Sequence, residues 1–171
     1  NGMGFGHVRA LAKNAGARVV TLCDLDDRVL DRGKEAVKSI AGNTPKLERD
    51  FRKVLDDPSI DAVTIATPNH WHCPIAIRAL QAGKDVYLEK PGSHVFREGR
   101  LLVEAARKYK RIVQHGTQMR SSEVTAKAGE VLASGILGTV KMSKAWNCQR
   151  HAYRQSLPDA TPPPHVNYDM W

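Results

Sequence analysis

Residues 61–91 read DAVTIATPNHWHCPIAIRALQAGKDVYLEKP. An apolar run, Ala62–Thr67, stops at Pro68, a residue that cannot donate to a ladder. Ile75, Ala76, Ala79, Leu80 and Ala82 then recur at helical spacing until Gly83 ends the pattern, and a second apolar run, Val86–Leu88, leads into Glu89-Lys90-Pro91. Strand, loop, helix, strand and loop in that order predict a βαβ unit, the building block of parallel sheets. Ligands of open α/β sheets bind beyond the carboxyl ends of the strands. Both ends carry polar groups here: Thr67-Pro68-Asn69-His70-Trp71-His72 after one strand and Glu89-Lys90-Pro91 after the next.

Upstream, Asn1–His7 opens with Gly2-x-Gly4-x-Gly6, followed by Phe5, Val8, Leu11, Ala12 and Ala15 at helical spacing. Arg18–Cys23 is an apolar run ending at Asp24, 20 residues after Gly4. A glycine loop opening a helix, then a strand ending in an acid, predicts the second half of a dinucleotide-binding unit. Glycines let backbone approach a pyrophosphate, the helix amino terminus attracts its charge, and the acid accepts from the adenosine ribose hydroxyls. No strand precedes the glycines, so the expectation is a Rossmann-type parallel sheet without its first strand, whose place is between the strands ending at Asp24 and Thr67. Such a chain alone is expected to be loosely folded, to bind NAD weakly and to be inactive.

The 171 residues are 42% hydrophobic and 26% charged, a mix that builds an ordinary core. The net charge of +8 comes from Lys and Arg scattered on helix faces among acids, with no basic block. These are solvated faces, and no nucleic-acid partner is expected. Cys23, Cys73 and Cys148 have no paired spacing, so neither a disulfide framework nor a zinc knuckle is predicted. No apolar run is long enough for a membrane span. His70 and His72 are not expected to bind a metal, because Pro68 and a helix onset replace the strand that would align them.

Helices are also predicted over Leu25–Ile40, around Phe51–Leu55, over Phe96–Tyr109 and over Glu123–Ala133, with strands at Lys46–Glu48 and Arg111–His115. Val140–Cys148 alternates Val140, Met142 and Trp146 with polar residues, the pattern of a half-buried strand. Residues 1–117 are thus assigned to a dinucleotide-binding domain and residues 118–171 to the start of a second, α+β domain.

The ordered set of Asn1–His7 with Asp24, Thr67–His72, Glu89-Lys90-Pro91, Gln114–Gln118 with Arg120, and Gly138 before Trp146 resembles the glucose–fructose oxidoreductase / inositol dehydrogenase / rhizopine-catabolism (Gfo/Idh/MocA) family. The resemblance implies an amino-terminal half of a longer, homo-oligomeric enzyme that moves hydride between a nicotinamide and a hydroxyl carbon of a sugar, cyclitol or sugar derivative. An alternative in the same family is an NAD-dependent glycoside hydrolase that oxidises a ring hydroxyl transiently and then eliminates. NAD is implied ahead of NADP. Cofactor contacts are implied for Gly2, Met3, Gly4, Asp24, Thr67, Pro68, Asn69, His72, Glu89, Lys90 and Gln118, catalysis for Lys90, and substrate contact for Arg120, for which an interdomain salt bridge stands level with that contact. A lysine beside the nicotinamide can hydrogen-bond a substrate hydroxyl and take its proton, and partial burial there would favour the neutral amine. His72 is expected to bond cofactor or backbone, and Trp146 to join the core or to form a sugar-stacking surface, the core ahead. Relatives often hold the Lys-Pro bond cis. The acid–base partner that relatives carry further on has no counterpart in this chain, and His151 and His165 are not assigned that role. The compartment is open: cytoplasmic residence is favoured, and twin-arginine export would need a signal upstream.

Overall fold

The structure is a computed structural model and describes residues 2–146 and 158–171. It divides into two compact units, Asn1–Gly116 with Pro162–Trp171, and Thr117–Thr161.

The first unit alternates helices and parallel strands. Helix α1 (Met3–Lys13) leads to β1 (Thr21–Cys23), α2 (Asp27–Ala41), β2 (Lys46–Glu48), α3 (Phe51–Asp56), β3 (Ala62–Ile65), α4 (Asn69–Gln81), β4 (Asp85–Glu89), α5 (Phe96–Tyr109) and β5 (Val113–Gly116). Local signals set these boundaries. Asp26 and Asp50 cap α2 and α3 by accepting from the backbone of Arg28 and Arg52, satisfying donors that a helix start leaves open. Gly42 and Gly83 leave α2 and α4 at φ 74° and 76°, a region costly for residues bearing a Cβ.

The strands form two parallel sheets, β1-β2 and β3-β4-β5. Ala62 lies opposite Asp85 and Val86 opposite Val113, so the carboxyl ends of β3, β4 and β5 fall at one edge. Among the described residues no strand pairs with the outer edge of β1 or of β3. Two apolar clusters follow the two sheets. Ile65, Cys73, Ala76, Ala79, Leu80, Val86 and Leu88 pack between β3-β4-β5 and the helices α4 and α5. Ala12, Val19, Leu22, Leu30 and Val37 fill the space between β1, α1 and α2. Burying a leucine such as Leu80 or Leu88 contributes ~1.5–3 kcal/mol. Gly33 is the point of closest approach between α2 and β1: a Cβ there would stand 2.8 Å from Leu22 Cδ1.

Lys84, just before β4, is buried and donates from Nζ to the carbonyl of Asp57 at 2.6 Å. It joins the loop after α3 to the start of β4, at the opposite end of the sheet from the polar loops.

The second unit holds a 3-10 turn, Gln118–Ser121, and α6 (Glu123–Ala133), capped by Ser122. The strand expected over Val140–Cys148 does not form over residues 140–146, and Asn147 and Cys148 lie outside the described residues. A strand needs a ladder partner, and none is present there among the described residues. Trp146, expected in the core, is 76% exposed. Among the described residues no helix is long and apolar enough to cross a membrane.

Candidate functional site

The βαβ unit carries its polar groups where its strands end. Pro68 caps α4 with an extended ψ of 150°, and Asn69 is the first helical residue. Thr67, Pro68 and Asn69 are exposed. Beyond β4, the Lys90–Pro91 peptide bond is cis. His72 ties these two loops together. It is 1% exposed, with Nε2 2.9 Å from the carbonyl oxygen of Thr67 and Nδ1 2.6 Å from that of Pro91. Of the two partners expected for His72, cofactor or backbone, the structure supplies backbone. Cys73 adds a second tie, its thiol 3.2 Å from the carbonyl oxygen of Gly92.

Glu89 is also buried, at 3% exposure. Its Oε1 accepts from His7 Nε2 at 3.0 Å and its Oε2 from the backbone N–H of Lys90 at 3.2 Å. His7, on α1, is the site residue that sequence reasoning did not single out. Its Nδ1 lies 2.9 Å from Thr64 Oγ1 on β3, and its ring meets Tyr87 edge-on. Gly116, at the end of β5, leaves the room that Glu89 occupies: a Cβ there would stand 3.1 Å from Glu89 Oε1. Lys90 itself is exposed, so the partial burial expected of it is not present.

At the other end of the unit, Gly2 caps α1 at φ 65°. A Cβ on Gly2 would meet nothing within 4 Å, and α1 has no acid in its first turn. Open space above an uncompensated helix amino terminus fits an anionic pyrophosphate. Met3 is the first helical residue, and Gly4 faces Ala66, its would-be Cβ 3.5 Å from the alanine Cβ. Asp24 follows β1, and its Oδ1 accepts from the N–H of Asp26 at 3.0 Å, leaving its second oxygen for a ribose. The donor set thus fits a dinucleotide. Gln118 and Arg120 lie on the 3-10 turn of the second unit. His165 belongs to the first unit, with Nε2 3.9 Å from Asp26 Oδ2, and His151 lies outside the described residues.

Residues 2–117 match the model of the Gfo/Idh/MocA family, described as an oxidoreductase family with an NAD-binding Rossmann fold. The chain belongs to this oxidoreductase family. It is 34% identical to inositol 2-dehydrogenase 1 of Saccharopolyspora erythraea over 138 residues, 80% of this chain and 40% of the relative. It is 35% identical to glycosyl hydrolase family 109 protein 2 of Shewanella sp. (strain ANA-3) over 107 residues, 60% of this chain and 24% of the relative. The fold matches scyllo-inositol dehydrogenase from Lactobacillus casei, solved with bound NAD(H) and scyllo-inositol, with a TM-score of 0.72 and 23% identity over 81% of this chain and 40% of that one. The chain therefore spans about a quarter to two-fifths of the length of these relatives.

Proposed function

We propose that this chain supplies the dinucleotide-binding part of an NAD-dependent oxidoreductase acting on a hydroxyl carbon of a sugar, cyclitol or sugar derivative. The observation that carries the reading is the joining of the Thr67–Asn69 loop and the Glu89–Pro91 loop through buried His72. Two polar strand ends held together make one wall of a site at the edge where α/β sheets bind ligands. Gly2, Met3 and Gly4 would hold the pyrophosphate, Asp24 the adenosine ribose, and Thr67, Pro68 and Asn69 the length of the dinucleotide. When bound, NAD supplies the hydride acceptor. Lys90 would hydrogen-bond the substrate hydroxyl and, once bound cofactor and substrate cover it and favour its neutral amine, help remove the hydroxyl proton as the carbon loses hydride and becomes a carbonyl. Glu89, fixed by His7, orients the backbone from which Lys90 projects. His72 positions both loops. Gln118 and Arg120 would contact cofactor and substrate respectively.

NAD is preferred over NADP in this reading, because the Asp24 carboxylate repels a ribose phosphate. The test is titration of both cofactors into the protein that carries this chain, together with Asp24→Ala, which should narrow the gap. Tighter binding of NADP would overturn the preference. Lys90→Met should lower turnover far more than NAD affinity, and unchanged turnover at saturation would remove Lys90 from catalysis.

The family 109 glycosyl hydrolase relatives favour a second reading, glycoside hydrolysis with transient oxidation and elimination. Net NADH accumulation on addition of myo-inositol or another sugar alcohol supports the dehydrogenase. Release of a glycosidic leaving group without net NADH supports the hydrolase.

A further inference from the structure

The stretch Pro162–Trp171 crosses the open end of the first unit as a strap. Val166 forms an antiparallel bridge with Asp26, the N–H of Asn167 donates to the carbonyl of Leu25 at 3.0 Å, and the N–H of Asp27 donates to the carbonyl of His165 at 3.2 Å. One end of the strap is therefore fixed to the loop after β1, within three residues of Asp24. The other end is fixed to the first turn of α4: Trp71 Nε1 donates to the carbonyl oxygen of Trp171 at 3.1 Å, and His70 Nε2 lies 3.3 Å from the same oxygen.

These two anchor points flank the space between the carboxyl ends of β1 and β3. Asp24, the residue assigned to the adenosine ribose, lies within three residues of the first anchor, so the adenine attached to that ribose falls within reach of the strap. The rings around that space form a continuous chain. Phe51 contacts Trp71, Trp71 contacts His70, His70 meets Trp171 edge-on with centroids 6.2 Å apart, and Trp171 stacks on Tyr168 at 5.9 Å and 7°. Tyr168 and Trp171 remain 57% and 56% exposed. An apolar aromatic stack fixed at both ends of a strap, yet left half open, offers a flat ring a surface to cover.

We propose that the strap is the outer wall of an adenine site, with the Tyr168–Trp171 pair as its stacking face and the Asn167–Leu25 hydrogen bond as its latch. Its ligand is the adenine of an adenine nucleotide. The proposal rests on the cofactor reading above and adds to it a binding element from outside the Rossmann segments. Loss of a ring that stacks on a base weakens binding about tenfold. Asn167 has φ −78°, so proline fits its backbone and removes the latch donor.

The test is NMR-monitored titration of AMP, NAD and nicotinamide mononucleotide into the protein that carries this chain and into its variants. Trp171→Ala and Asn167→Pro should each weaken AMP and NAD about tenfold, while nicotinamide mononucleotide is unaffected and Trp171→Phe binds close to wild type. Transferred NOEs from adenine H2 or H8 to the rings of Trp171 or Tyr168 in the unsubstituted chain report the contact directly, whatever the folding of the variants. If Asp24→Ala weakens AMP but Trp171→Ala does not, or the NOEs are absent while AMP binds, the strap is not the adenine wall and the cofactor reading stands. If the protein that carries this chain binds neither AMP nor NAD, or Asp24→Ala changes neither, the cofactor reading falls and the strap proposal falls with it.

Discussion

His7 and Glu89, 82 positions apart, share a 3.0 Å hydrogen bond that ties the first helix to the residue before Lys90. A neutral imidazole protonated on Nε2 meets both of its contacts: it donates to Glu89 Oε1 and accepts at Nδ1 from the Thr64 hydroxyl. The carboxylate is buried and also accepts from the N–H of Lys90. Removing one partner of a buried hydrogen bond costs ~1–3 kcal/mol, because the other keeps its desolvation penalty. His7→Leu should therefore lower unfolding free energy by about that amount, and Glu89→Gln should cost less in the His7→Leu background than alone. Urea unfolding of the four proteins measures the coupling. Strictly additive effects would show that the two residues do not act as a pair.

Gly116 should accept a side chain only at a cost, although nothing in its backbone angles demands glycine. A Cβ there would lie 3.1 Å from Leu88 O and 3.2 Å from Glu89 Cα, both backbone atoms that cannot rotate away. Gly116→Ala is expected to destabilise by ~1–3 kcal/mol, the usual cost of overpacking. Gly129, inside α6 with open space around it, is the control: Gly129→Ala should stabilise by about 0.5–1 kcal/mol through helix propensity. Equal effects at the two positions would refute the steric account.

What the sequence revealed and what it concealed divide along contact range. The βαβ unit over 61–91 was legible because its signals are local: Pro68 as a cap, the alanine and leucine spacing of α4, and Gly83 at positive φ. The family motifs likewise marked both polar strand ends. His7 with Glu89, Gly116 beneath Glu89, and Lys84 on Asp57 were not legible, since each joins elements far apart in the chain. The strap was hidden for the same reason: its proline-rich composition reads as loop, and only its backbone bonds to Leu25 and Asp27 place it beside Asp24. Val140–Cys148 shows the converse. Its alternation is a correct strand pattern, but alternation specifies a face and does not supply the neighbouring strand that a ladder requires.

Cys23 should resist alkylation even though part of the residue is exposed. Burial pushes its thiol up to about 12, and the neighbouring Asp24, Asp50 and Glu48 carboxylates add to the shift. Burial, with help from Glu98, raises the Cys73 thiol to about 11. The thiolate is the reactive form, so Cys23 should react with iodoacetamide at pH 8 roughly a thousandfold more slowly than an ordinary cysteine. Peptide mapping after a short pulse should find Cys23 and Cys73 largely unmodified in native buffer and both modified in urea. Rapid labelling of Cys23 in native buffer would contradict the raised thiol pKa of this acid-flanked position.

Asp57 should make stability depend on acid below the usual carboxylate range. Its side chain accepts from Ser59 Oγ at 2.6 Å, from the Ser59 N–H at 2.9 Å and from Lys46 Nζ at 3.2 Å. These contacts, the Ser59 hydroxyl foremost, lower its pKa to about 2. An unfolded aspartate titrates near ~3.9. Between these values the unfolded chain binds the proton more readily than the folded one, so stability falls as pH falls. The contribution is fully present above pH ~4 and is lost as the pH passes down through about 2. Asp57→Ala should be less stable than wild type at pH 5, and the two should converge as the pH drops through this window. Because the Ser59 contacts outweigh the exposed Lys46, the difference at pH 5 should survive 1 M salt, which screens ion pairs on a Debye length of about 3 Å. Urea unfolding from pH 5 to pH 2 at low and high salt provides the measurement. A gap that stays constant with pH would remove Asp57 as its source, and a gap abolished by salt would transfer the effect from Ser59 to Lys46.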